Sequence, residues 1–238
     1  MIPKTIMIEG LTLPDTWAKL VKATMQHGID IKTEYGPMSK DICSVAVIKY
    51  PFEEPMLHNQ FPTKEQHLRE YVKQFEREYD WEKQGFKYTY VDRLVKYPNT
   101  DIIKSVSPFQ LDLMPVDQLS YLKEQLQKPI TRRAQSITWV PSIDSIDDEP
   151  PCLQRIWMRK LSDKTCEMHC DWRSRDLFSA WNSNYIGILS MIDREILKPL
   201  DLKLVKLVDF VDALHIYSTD FDEAAKVMPA VVNPMLMR

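Results

Sequence analysis

The chain has 238 residues, 44% of them hydrophobic, with six Trp, ten Tyr and eight Phe, which is enough apolar mass for one sizeable core. A formal charge of −3 and a pI near 6.0 exclude a broad basic face built to track a nucleic-acid backbone, while leaving room for a local basic pocket. No run approaches the roughly eighteen uninterrupted apolar residues of a membrane span, and no basic flank leads into an apolar N-terminal stretch, so the expected location is the cytoplasm.

No glycine- or serine-rich linker, charge block or repeat divides the sequence, and a single domain over residues 1–238 is expected. Cys43, Cys152, Cys166 and Cys170 are too few for a disulfide scaffold in a chain of this length, so reduced thiols are the default.

Residues 14–27 read as an amphipathic helix, with Trp17, Leu20, Val21 and Met25 near helical spacing and Gly28 as the stop. Tyr35-Gly36-Pro37 marks a turn, and the β-branched run from Ile42 to Tyr50 predicts a buried strand holding Cys43. From Thr63 to Tyr79, Leu68, Tyr71, Val72 and Phe75 fall on one helical face, leaving His67, Glu70, Gln74 and Glu76 as solvated surface. The alternation in Phe86-Lys87-Tyr88-Thr89-Tyr90 suggests a short strand ahead of Arg93. Pro115 opens a further helix with a Leu119, Leu122, Leu126 stripe, and Pro129 closes it ahead of the Arg132-Arg133 pair.

Ala134 to Val140 predicts a strand and Pro141 to Pro151 an acidic loop. Cys152 to Leu161 and Thr165 to Trp172 read as consecutive strands joined by a Ser-Asp-Lys turn. Alternation puts Cys166, Met168, Cys170 and Trp172 on one face and His169 on the other, which separates the ligands that a Cys-His-Cys metal site would need; none is expected. Residues 182–197 give an apolar helix with Tyr185, Ile186, Leu189, Ile192 and Ile196 at helical spacing, and Leu204 to Ser218 a last strand carrying His215 and Tyr217 on one face.

Arg132-Arg133, Pro150-Pro151-Cys152, Arg173-Ser174-x-Asp176, Asn184 and His215-x-Tyr217 together resemble the thymidylate synthases and their sister pyrimidine hydroxymethylases. The resemblance runs from Arg132 to Ala224 and covers the N-terminal half in outline. The compact length and the Tyr-Thr-Tyr-x-x-Arg-Leu segment look most like the archaeal branch. It implies an α+β fold, a mixed sheet with flanking helices, and two sheets packed back to back in a homodimer. It makes Cys152 the nucleophile, Tyr88 a participant in removing the C5 proton, and Asp176 a contact of the folate ring. Arg173 and Ser174 would hold the nucleotide phosphate, joined by Arg132 and Arg133 from the second subunit. Asn184 would read the pyrimidine edge, and His215 and Tyr217 the sugar hydroxyl.

The implied partners are a dUMP-like nucleotide and 5,10-methylenetetrahydrofolate or a related reduced pterin. Leu153 stands where bacterial members carry histidine, and Trp181-Asn182-Ser183 replaces their Leu-Pro-Phe. Tyr35 to Asp41 occupies the place of their phosphate loop, and Gln74, with Glu70 and Glu76 nearby, that of their first-helix glutamate.

The chemistry requires these residue types for its own reasons. A thiolate adding at pyrimidine C6 turns C5 into a nucleophile, and arginine charge nearby is expected to lower the thiol pKa. Guanidinium forks suit phosphate oxygens, and an amide offers uracil both a donor and an acceptor. The expected reaction is reductive methylation of dUMP. The alternatives are a 5-hydroxymethylase that finishes the same chemistry with water and a non-catalytic nucleotide- or RNA-binding protein on this fold.

Overall fold

The structure, a computed structural model, describes residues 2, 4–98 and 115–237. The strand β1 (Thr5–Gly10), the helix α1 (Leu13–His27), β2 (Ile29–Lys32) and β3 (Met38–Ile48) open the chain. Then come α2 (Glu65–Lys73), α3 (Tyr90–Val95), α4 (Gln118–Gln127), β4 (Gln135–Ile137) and α5 (Pro141–Asp144). The last part holds β5 (Leu153–Lys160), β6 (Thr165–Asp176), α6 (Trp181–Ile192) and β7 (Lys203–Tyr217).

The strands make one mixed sheet in the order β1-β3-β7-β6-β5-β4, with β2 also beside β3. One edge of β3 holds two partners in tandem, β2 antiparallel over Met38–Asp41 and β1 parallel over Cys43–Ile48, while its other edge pairs with β7. β5 and β6 form an antiparallel hairpin; β6 and β7 run parallel, and α6 supplies the crossover that parallel neighbours require. Their register sets His215 between Asp41 of β3 and Asp176 of β6.

Alternation decides which face is core. Cys166, Met168, Cys170 and Trp172 are at most 1% exposed, whereas His169 is half-buried on the other side. These residues join Trp17, Leu20 and Val21 of α1, Leu119, Leu122 and Leu126 of α4, and Tyr185, Ile188 and Leu189 of α6 in one core. The opposite sheet face carries Val45, Val47, Trp157, Val208 and Phe210, all only half-buried, with Val45 facing Phe210 and Val47 facing Val208.

Four expectations change. Phe86 to Tyr90 does not form a strand: Thr89 accepts the Asp92 N–H at 3.1 Å and caps α3, so side-chain capping prevails over an alternation that has no neighbouring strand. Asp117, not Pro115, starts α4, accepting from Ser120 N at 2.9 Å. The helix expected over Thr63 to Tyr79 is confined to Glu65–Lys73, and beyond it Arg77 is tied to Asp117 and Glu195 at 2.8 and 2.7 Å. Finally, β4 ends at Ile137, because the Val140 N–H turns to the Asp144 carboxylate at 2.5 Å and Pro141 opens a helical turn inside the expected loop.

Candidate active site

Cys152 lies between the Pro150-Pro151 turn and the first residue of β5, half-buried. The turn is clamped from the neighbouring strand. Arg173 donates through Nη2 to the Pro150 carbonyl at 2.6 Å and through Nε to the Pro151 carbonyl at 3.1 Å, and its N–H reaches the Cys152 carbonyl at 3.0 Å. Rigid prolines and a planar guanidinium therefore fix the thiol's position before any ligand arrives.

The electrostatic neighbours of Cys152 include Arg173, Arg175, Tyr71, Tyr88, Tyr90 and Tyr217. Burial pushes the thiol up, and the Arg173 and Arg175 charges offset only part of that. The expected depression of its pKa is thus corrected: in the free chain desolvation outweighs the two cations. Burial also raises Tyr88, which stays a phenol near neutrality. Its ring lies 4.9 Å from the Arg93 guanidinium, itself buried and paired with Asp144 at 2.9 Å.

Asn184, in the first turn of α6, is 8% exposed. Its Nδ2 donates to the Tyr71 hydroxyl at 2.5 Å and its Oδ1 accepts from Arg175 Nε at 3.4 Å. Asp176 closes β6, accepting from the Ser179 N–H at 3.0 Å; burial raises its pKa, against the Ser179 hydrogen bond and the His215 charge. His215 donates through Nδ1 to the Ala213 carbonyl at 3.1 Å, and its ring meets Tyr217 edge to face at 4.9 Å. Burial and the Asp176 charge raise the Tyr217 pKa, as do Tyr35 and Glu34, which places the turn before β3 beside this cluster. Ser174 is half-buried, in register with Ala213 of β7.

Arg132 and Arg133 stand apart. Their backbones are anchored, the Arg132 carbonyl by Trp157 Nε1 at 3.0 Å and the Arg133 carbonyl by the Tyr121 hydroxyl at 3.2 Å, while both side chains are exposed. Among the described residues neither has an ion-pair partner, and they line shallow hollows with Gln135 and Arg159, not with Cys152.

A cavity of about 390 Å³ adjoins the tyrosine cluster, lined by Tyr71, Gln74, Phe75, Phe86, Tyr88 and Tyr90 among others. Gln74 faces it, whereas Glu70 is exposed and bonded to Lys73 at 2.8 Å. The C-terminal segment takes another route. Met228 N donates to Gln60 at 2.8 Å and the Met228 carbonyl accepts from His58 at 3.1 Å, against the Trp17 ring of α1.

Sequence reasoning passed over Arg175, Tyr71 and Asp209. Arg175 occupied the unassigned position of Arg173-Ser174-x-Asp176, yet it is buried among Trp172, Trp181 and Tyr185 at 3.9, 5.2 and 4.3 Å. The detectable signal was an arginine within an aromatic-rich segment followed, one strand later, by an aspartate in an apolar run.

Comparison with known proteins agrees in one direction. The family model described as "Thymidylate synthase" matches residues 47–234. A provisionally named thymidylate synthase of Methanococcoides burtonii is 28% identical over 230 residues, covering 94% of this chain and 95% of its own. Similarly named proteins of Methanothermobacter thermautotrophicus (27% identical, 93% and 97% covered) and Methanothermobacter marburgensis (26%, 91% and 95%) align as fully. With a mixed sheet, a clamped cysteine and a buried asparagine already in the family order, the chain belongs to the thymidylate synthase family.

Proposed function

We propose that the chain reductively methylates dUMP to dTMP, using 5,10-methylenetetrahydrofolate or a related reduced pterin. The observation that carries this reading is the convergence of Cys152 with Arg173 and with Tyr71, Tyr88 and Tyr90, the tyrosines that line an aromatic cavity. In the proposed reaction the Cys152 thiolate adds to C6 of the pyrimidine and C5 becomes the attacking carbon. The reduced pterin, when bound, supplies the one-carbon unit and a hydride. Flat aromatic walls and a volume within the range of small-molecule pockets fit such a ring; the assignment of Asp176 as a contact of that ring rests on the family resemblance, since Asp176 does not line this cavity.

Arg173 keeps Nη1 free of the proline carbonyls, and with Ser174 it serves the nucleotide phosphate. Asn184 reads O4 and N3–H, and His215 and Tyr217 hold the sugar hydroxyl. Tyr88, a phenol at neutral pH, orients the water route by which the C5 proton leaves. Arg132 and Arg133 complete the phosphate site of a second copy, the two sheets meeting through the half-buried Val45, Val208 and Phe210 face.

Incubation with dUMP and methylenetetrahydrofolate tests the reading. dTMP with dihydrofolate is expected; hydroxymethyl-dUMP with tetrahydrofolate would instead identify a hydroxymethylase, and no turnover with intact nucleotide binding would leave a binding protein.

A further inference from the structure

An amide reads a base edge in two opposite ways. Turned by half a revolution, a side-chain amide exchanges donor and acceptor at nearly the same positions. One orientation offers an acceptor to N3–H and a donor to O4, as uracil needs; the other offers a donor to N3 and an acceptor to the cytosine amino group. Asparagine at position 184 therefore does not select the base by itself. The side chains that hold its amide do.

Two side chains hold it, and they differ in kind. The Tyr71 hydroxyl, 2.5 Å from Nδ2, can donate or accept and would bond either end of the amide. Arg175 Nε, 3.4 Å from Oδ1, has only a proton to give and tolerates only the oxygen. Arg175 cannot turn away. Its Nη1 donates to Asp209 at 2.8 Å, its Nη2 to the Trp181 carbonyl at 2.9 Å, and its guanidinium carbon lies over the rings of Trp172 and Tyr185, 3.9 and 4.3 Å from their centroids. Asp209 is fixed in turn by Trp181 Nε1 at 2.7 Å and by the Tyr185 hydroxyl. With those two bonds made, the Asn184 amide retains one lone pair on Oδ1 and one N–H on Nδ2 in a fixed order, and on the uracil reading of Asn184 proposed above the lone pair faces N3–H and the N–H faces O4.

We infer that Arg175 is a specificity-determining positioning residue: its Nε–H holds the Asn184 amide in the orientation that accepts uracil and rejects cytosine. The inference rests on the pyrimidine reading of Asn184 above, and Arg175 acts through Asn184 rather than on the base.

Arg175→Lys keeps a cation beside Asp209 but removes the Nε donor and the planar fork. Equilibrium dialysis of the full chain against dUMP and dCMP gives the ratio of their affinities. The wild type is expected to favour dUMP by at least about tenfold, and Arg175→Lys to reduce that ratio by about tenfold as dCMP binding gains on dUMP binding. A merely structural lesion weakens both nucleotides alike and leaves the ratio intact; an unchanged ratio in a folded variant overturns the inference. Should Arg175→Lys not fold, the double variant Arg175→Met, Asp209→Asn, which removes both buried charges together, carries the same expectation. A wild type that binds both nucleotides equally defeats this inference alone, whereas one that binds neither defeats the pyrimidine reading as well.

Discussion

At Cys152, two effects of opposite sign meet on one sulfur: burial raises the thiol, and Arg173 and Arg175 pull it down by less. The sign has a direct consequence. A thiol whose pKa lies above the ordinary value is protonated across the neutral range, and its thiolate fraction rises about tenfold per pH unit until that pKa is reached. Iodoacetamide labelling of the Cys152 peptide, followed by mass spectrometry in the free protein, should therefore keep climbing with pH where an ordinary thiol has already levelled off. An early plateau would show that the two cations prevail. Cys152→Ala is expected to lower dTMP formation by a factor on the order of 10³ or more, while dUMP binding by dialysis persists. Retained turnover would remove Cys152 from the chemistry.

Between elements, the site depends on how closely α2 and the turn after it, which holds Phe75, approach α6. Gly187 makes that approach possible: a Cβ there would meet the buried Phe75 ring at 2.3 Å. Gly187→Ala should cost about 1–3 kcal/mol in denaturant unfolding, and should weaken nucleotide binding too, because the same contact seats Tyr71 on Asn184. A second inter-element tie joins three strands. Glu167 of β6 accepts from Lys206 of β7 at 3.0 Å and from Arg159 of β5, and these partners, working against burial, hold its carboxyl below the usual range. A depressed folded pKa contributes stability above the unfolded value and loses it as pH falls through the folded one. The Tm difference between wild type and Glu167→Gln should thus be largest near neutrality and shrink in acid; a constant difference would assign the effect to packing.

The legibility of these elements in the sequence divides along physical lines. The α1 stripe and the β6 alternation were readable because one-sided burial imposes a period on the residues themselves. Phe86 to Tyr90 misled because its alternation is real, yet a cap at Thr89 decided its conformation. For Arg175 and Asp209 the sequence offered only two charges in apolar surroundings, not their pairing, because the contact links positions 34 residues apart through a register that no local pattern encodes.

For the whole molecule, the sheet has one face filled by helices and one bearing half-buried Val45, Val208 and Phe210. A second copy meeting that face would bring Arg132 and Arg133, which have no ion-pair partner among the described residues, toward a neighbour. Light scattering after size-exclusion should report a dimer, and Phe210→Asp should shift it toward monomer with a parallel loss of dTMP formation. A fully active monomer would rule out a shared phosphate site. Arg132, Cys152, Arg173, Asn184 and His215 could be singled out in the sequence only through their resemblance to a family, and the separation of the two arginines from Cys152 within one chain emerged only from the fold.

Arg175 has one more consequence, optical rather than chemical. Its guanidinium carbon lies 3.9 Å from the centroid of the Trp172 ring and 5.2 Å from that of Trp181, and its Nε hydrogen-bonds Asn184. Indole emission follows the electric field across the ring, so a base bound at Asn184 should shift the emission of these two side chains. The chain carries its own dye, linked through Arg175 to the edge where the nucleotide would be read.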